Sequence, residues 1–196
     1  DTLAIDPTKY AFDEEVIGDE GECTVYKLNS LEPTIPSLVM KIDKVLKKQN
    51  IDKLLERVKI LRDEYETIKK WYQDVPDLIP EEFHFIGNNP RGGKPAIFTV
   101  QTFLGNTNEM QDVFRGMSKE ELLKTLRHNA KLQAHFRMFV DITQSNADEK
   151  DEMIDTLGNK NLVLIKKEDD TRLVFLDPHH ILHPKIDKGN AKKLQA

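Results

Sequence analysis

This sequence predicts an α+β fold, with one long helix set among antiparallel strands and a more helical second half. Two observations carry that expectation. A strongly periodic segment at 51–72 is flanked on both sides by short β-like runs, and a capping-box signature at Ser118 opens a second helical region. A helix inserted into a run of antiparallel strands is an α+β arrangement.

The long helix is the clearest element. Ile51, Leu54, Leu55, Val58, Leu61, Tyr65, Ile68 and Tyr72 recur at spacings of three and four, which puts them on one face. Asn50 suits the N-cap, Asp52 sits well in the first turn, and Pro76 discourages continuation beyond the far end.

Before the helix, Glu15–Ile17 leads through a glycine-containing turn into Thr24–Leu28. A loop with Pro33 and Pro36 then gives way to the apolar run Leu38–Ile42. After the helix, Phe83 and Phe85 alternate with polar neighbours as in a half-buried strand. Residues 88–93 read as a turn, and Ala96–Val100 as a buried strand. The order through about residue 103 is therefore β-β-β-α-β-β.

In the second half, Ser118 with Glu121 three residues later opens a helix. Leu122, Leu123, Leu126, Ala130, Gln133, Phe136 or Arg137, and Val140 run along one side of it. The charge-rich stretch 146–152 reads as a surface connection or a short helix. Leu162–Ile165 and Leu173–Leu176 are apolar β-like runs joined by a polar hairpin tip at 166–170. No repeat or low-complexity tract is visible.

Composition bounds the function. A chain of 196 residues with 38% hydrophobic, 32% charged and 7% aromatic residues suits one globular domain or two packed lobes. No apolar run reaches the roughly 18 residues of a membrane span. The opening DTLAIDPTKY has neither a basic nor an apolar leader region, so no secretory signal is expected; since it opens on Asp1 and not Met, an upstream segment stays open. The single cysteine, Cys23, can form no internal disulfide and fits a reducing, cytoplasmic setting. A net charge of −5 offers no broad field for nucleic acid. The lysines within 41–48 and near the C-terminus (Lys185, Lys188, Lys192, Lys193) read as a solvated face and tail. His179, His180 and His183 cluster in sequence without the partners of a tetrahedral zinc site. Cys23 lies among acidic residues, a poor setting for a nucleophile. Neither a Walker-type phosphate loop nor a hydrolase nucleophile elbow is present.

Particular residues, taken in order, resemble the protein-kinase-like superfamily, which includes small-molecule phosphotransferases. The likeness covers nearly the whole chain. Residues 17–25 resemble its glycine-rich loop, with Gly18 at the first glycine and Val25 at the apolar residue after the turn. Glu20 and Cys23 stand where the other glycines fall, and Gly21 is offset between them. Val39-Met40-Lys41 resembles the third-strand lysine motif, whose lysine meets ATP phosphates and a helix glutamate. Glu64 is the expected partner and Glu66 the fallback. Residues 99–105 resemble the hinge, with Val100 at the gatekeeper position and backbone around Gln101 and Phe103 facing an adenine edge. Asn161, the hairpin after it, and Leu173-Val174-Phe175-Leu176-Asp177 resemble the catalytic-loop asparagine and the metal-binding aspartate. Both are hard oxygen ligands suited to Mg²⁺.

The departures are specific. The sequence reads Asp177-Pro178-His179 where the family has Asp-Phe-Gly, and proline fixes φ and removes an N–H. The family's base falls at Thr156; Asp155 is one residue earlier, and Gly158 in the loop could restore its place. Fewer than twenty residues follow Asp177, where the family continues with an activation segment and peptide-holding helices.

The resemblance thus implies a two-lobed fold, with a five-stranded sheet and one helix in an N-lobe (1–103) and a reduced, mainly helical C-lobe (104–196). It implies an ATP- and Mg²⁺-dependent phosphotransferase acting on a small-molecule or protein acceptor. Lys41, Glu64 and Asp155 are its expected catalytic residues; Gly18, Gly21, Val25, Lys41, Gln101 and Phe103 its nucleotide contacts; Asn161 and Asp177 its metal ligands. A pseudokinase that binds nucleotide or protein without turnover is the alternative. Neither the acceptor nor the oligomeric state is written in the sequence.

Overall fold

The β-like runs of the first half assemble into one antiparallel sheet. In the computed structural model its strands are β1 (Tyr10–Gly18), β2 (Cys23–Ser30), β3 (Leu38–Asp43), β4 (Glu82–Asn88) and β5 (Pro95–Thr102), in the order β1-β2-β3-β5-β4. Helix α1 (Ile51–Trp71) enters between β3 and β4 in sequence. Described are residues 6–19, 23–44, 50–89, 93–105, 107–156, 158, 160–167 and 170–183, without the side chains of Pro7, Glu14, Thr107 and Lys167. Glu20, Gly21, Glu22, the centre of the 88–93 turn, the hairpin tip at 168–169 and Lys47, Lys48 and the C-terminal lysines lie outside them.

By its contacts the chain divides into two units, Asp1–Asp63 with Glu81–Leu104, and Glu64–Pro80 with Gly105–Ala196. The sequence reading put one boundary at 103/104; contacts put it at 104/105 and also assign 64–80 to the second unit. The reason is apolar packing. Leu54, Val58 and Leu61 of α1 cluster with Ile97 and Ile86 of the sheet, whereas Ile68 and Tyr72 cluster with Val75, Leu78 and the second unit's core.

In the first unit, strand alternation sorts the sheet into two faces. One carries Ile86 and Ile97 against α1. The other carries Tyr26, Ile42, Ala96 and Phe98, with Val16, Met40 and Phe85 around them; the rings of Phe85 and Phe98 stack at 5.2 Å. β1 pairs with β2 through two register irregularities, between Phe12 and Val16 and between Val16 and Gly18.

The second unit contains β6 (Met110–Asp112), α2 (Lys119–His128), α3 (Ala130–Lys150), β7 (Met153–Ile154), β8 (Leu162–Lys167), β9 (Asp170–Phe175) and β10 (Ile181–Leu182). β6, β8 and β9 form one antiparallel sheet, and β7 pairs with β10. Leu132 and Phe139 of α3, Leu126 of α2, and Leu162, Leu164, Leu173 and Phe175 of the hairpin share one core.

The single helix expected from Ser118 to Val140 is two helices. Ser118 makes the capping box with Glu121, as the sequence suggests. Asn129, however, is extended (φ −136°, ψ 93°), ending α2 and capping α3 by accepting from the Leu132 N–H at 2.9 Å. An asparagine side chain competes well for such N–H groups, so the backbone breaks there; beyond it Leu132 and Phe139 turn inward, while Ala130, Gln133 and Val140 of the expected stripe are exposed. The stretch at 146–152 prolongs α3 to Lys150, which ends on left-handed Asp151 (φ 58°, ψ 35°).

Candidate functional site

Register builds a continuous cross-strand row in the first unit. Gly18 is opposite Val25, Val25 opposite Lys41, Lys41 opposite Thr99, and Thr99 opposite His84. The next row pairs Val39 with Gln101 and Gln101 with Glu82. Residues paired across strands share a face, and Thr99 and His84 lie two positions from Ile97 and Ile86. Lys41 therefore projects from the sheet face on which α1 packs.

That face is polar beside its apolar end. The Lys41 ammonium lies 3.6 Å from Glu82 Oε1, with side-chain exposures of 16% and 0%. Glu82 Oε2 is 3.7 Å from His84 Nε2, and His84 Nδ1 is 2.9 Å from the Thr99 hydroxyl. The His84 carbonyl accepts from Arg62 Nη2 of α1 at 2.5 Å. The half-buried strand expected at Phe83 and Phe85 is thereby turned over at its start: Glu82 and His84 are buried, and Phe83 is 38% exposed. Glu82 and His84 were missed as site residues because a strand carboxylate and imidazole read as the wet side. Their spacing of two, aligned with Lys41, was the available signal.

Three other nucleotide contacts implied by the resemblance also fall in this unit. Gly18 ends β1, Gln101 is a buried residue of β5, and Phe103 follows β5 with its N–H donating to Ser37 O at 2.8 Å. The Phe103 ring receives the Lys27 ammonium 4.6 Å from its centroid. Gly21 lies outside the described residues. Near it, Asp19 is not a bare charge: Lys44 Nζ sits 3.1 Å from its carboxylate and 2.6 Å from its carbonyl oxygen. Glu64, on α1, belongs to the second unit, and its Oε2 is buried with no hydrogen-bond partner among the described residues.

In the second unit, Asn161 ties two chain segments together. Its side-chain nitrogen donates to Asp155 O at 2.7 Å, and its backbone carbonyl accepts from Leu176 N–H at 2.7 Å, one residue before Asp177. Asp155 directly follows β7, and Asp177 lies two residues past the end of β9. Because β7 pairs with β10, the chain on either side of 177–180 is anchored in sheet. The buried Thr156, at the family's base position, donates its N–H to Ile154 O at 3.0 Å.

Two residues hold the loop. A Cβ on Gly158 would lie 2.2 Å from Asn161 Nδ2, so only glycine leaves the amide its place. Asp112 Oδ2 accepts from Lys160 N–H at 2.7 Å, while its Oδ1 accepts from Phe114 N–H at 2.9 Å and Arg115 N–H at 2.8 Å. With its nitrogen committed to a carbonyl, the Asn161 amide offers Oδ1 as an acceptor. The Asp177 side chain is 45% exposed. An amide oxygen and a carboxylate are hard donors that fit Mg²⁺ with water completing its shell. After Asp177, Pro178 is buried and His179 N–H donates to Asp177 O at 2.8 Å, closing a short turn.

Among the described residues no helix is long and apolar enough to cross a membrane. No family model matches this chain, and no curated protein matches it.

Proposed function

We propose that this chain is an ATP- and Mg²⁺-dependent phosphotransferase of reduced protein-kinase-like fold. The observation that carries this reading is the double tie at Asn161. Asp155, Asn161 and Asp177 carry the resemblance at three separate points, and two hydrogen bonds of one asparagine, one donated and one accepted, link their segments. The strand order β1-β2-β3-β5-β4, with a helix between β3 and β4 and Lys41 on β3, supports it independently.

In this reading Lys41 holds nucleotide phosphate by charge, with Glu64 as its expected helix partner. The chain from Gln101 to Phe103 lies along the adenine edge, with the Phe103 N–H itself already given to Ser37 O, and Gly18, Gly21 and Val25 cover the nucleotide. Asn161 Oδ1 and the Asp177 carboxylate would hold Mg²⁺, which would supply positive charge to the phosphates. Asp155 orients the acceptor hydroxyl and takes its proton. Phosphoryl transfer depends chiefly on positioning and electrostatics, so a base displaced by one residue slows the reaction more than it forbids it. The acceptor is a small molecule or a protein.

One observation favours the pseudokinase alternative. Pro178 is buried in the turn closed by His179, which fixes a segment that switches in the family. Phosphate release or acceptor labelling that is lost in Asp155→Asn supports the enzyme. Nucleotide binding with no turnover in either protein supports the module.

A further inference from the structure

We infer that Glu82 is a positioning residue for Lys41, fixing its ammonium for the phosphates of a nucleoside triphosphate. This rests on the reading of Lys41 as the phosphate-holding group. It adds a carboxylate that the resemblance does not supply, since the expected partner of Lys41 is on a helix and Glu82 is on β4.

Placement gives Glu82 this role. It stands opposite Gln101 while Lys41 stands opposite Thr99, so the two side chains lie on one sheet face, on strands either side of β5. A fully buried carboxylate is costly unless paired with opposite charge or hydrogen bonds. Glu82 has the Lys41 ammonium as its opposite charge at 3.6 Å, and the His84 ring lies 3.7 Å from its other oxygen. His84 is itself fixed on both sides, by Thr99 at its ring and by Arg62 at its carbonyl. The carboxylate is therefore held on a sheet strand.

The Lys41 distance also matters. At 3.6 Å the pair interacts by charge beyond ordinary hydrogen-bond reach, so Glu82 takes up none of the three ammonium donors. In this arrangement it is charge on a fixed strand that places the Lys41 ammonium for phosphate. Adenosine, which lacks phosphate, gains nothing from this arrangement.

The test measures Mg·ATP and adenosine affinity by calorimetry on the full chain, with Glu82→Gln and Glu82→Asp beside it. Glu82→Gln keeps the shape and removes the charge that places Lys41; it should weaken Mg·ATP by about tenfold, which is ~1.4 kcal/mol of binding, and leave adenosine unchanged. Glu82→Asp should recover part of the loss. Equal Mg·ATP affinity in Glu82→Gln overturns the inference, and so does a parallel loss of ATP and adenosine, which marks a purely structural role. Should Glu82→Gln fail to fold, Glu82→Asp carries the test: its ATP affinity must fall with adenosine unchanged, and unchanged ATP affinity overturns the inference. Failure of the unaltered chain to bind Mg·ATP overturns the phosphotransferase reading itself, a result distinct from failure of the Glu82 variants alone.

Discussion

The side-chain nitrogen of Asn161 donates to the backbone carbonyl of Asp155 across 2.7 Å, while the Asn161 carbonyl receives the N–H of Leu176. One residue thus links the end of β7 to the end of β9. Asn161→Ala should remove the side-chain tie and destabilise the chain by about 1 kcal/mol, the usual net worth of such a bond. Asn161→Asp replaces the donor with a carboxylate facing a carbonyl and should cost more. Urea denaturation checks both, and a larger loss in the alanine variant contradicts the donor role.

Gly158 should be intolerant for the same reason. Its Cβ would lie 2.2 Å from Asn161 Nδ2 and 2.6 Å from Oδ1, so Gly158→Ala must push the amide aside. The expected loss is about 1–3 kcal/mol from overpacking. In the double variant with Asn161→Ala that loss should shrink, because residues in contact do not add. Strict additivity in denaturation midpoints would show that the crowding is relieved elsewhere.

Asp112 braces the loop from another strand. It accepts from the backbone N–H groups of Phe114, Arg115 and Lys160, and Lys160 holds a left-handed backbone (φ 57°) directly before Asn161. Asp112→Ala should cost about 2 kcal/mol, given charge-assisted bonds near the surface. Hydrogen exchange at the amides of Phe114, Arg115 and Lys160 should rise in the variant. Unchanged protection at Lys160 would sever the link between Asp112 and the loop.

Tyr72 gives an alkaline signature. It is buried, its hydroxyl lies 2.7 Å from that of Thr143, and burial pushes the phenol up to about 12 from 10.0. Below pH 10 the phenol is neutral folded or unfolded and adds no slope. Between about 10 and 12 the unfolded chain releases the proton first, so stability falls as pH rises, by about 2–3 kcal/mol in all. Tyr72→Phe should flatten that decline. Phenolate absorbance of the folded chain, compared with the variant, checks which tyrosine titrates late.

The parts of the fold legible in sequence were those whose burial follows one period. α1 reads clearly because Leu54, Val58, Leu61, Tyr65 and Ile68 are buried, although Ile51 and Leu55 of the expected face are exposed; the β8–β9 hairpin reads because Leu162–Ile165 and Leu173–Phe175 are buried runs. β6 did not, since Met110-Gln111-Asp112 carries no apolar pattern and is a strand only through pairing with β8. β7 and β10 are two residues each, too short for any period to show. The break at Asn129 was hidden because no proline or glycine marks it, and beyond it the inward face passes from Ala130 and Gln133 to Leu132 and Phe139. At the site, Lys41 stood out as a lysine in an apolar strand. Glu82 did not, since alternation of Phe83 and Phe85 with polar residues normally places the polar ones in water. Only the pairing of β4 with β5 reveals that Glu82 and His84 share the face of Lys41.

The measurement closest to the central claim is thermal unfolding of the full chain with ATP, with Mg²⁺, and with both. The account predicts a rise in melting temperature with ATP and Mg²⁺ together, little with either alone, and loss of the rise in Asp177→Ala. No shift at millimolar nucleotide with Mg²⁺, or an equal shift in Asp177→Ala, would contradict it.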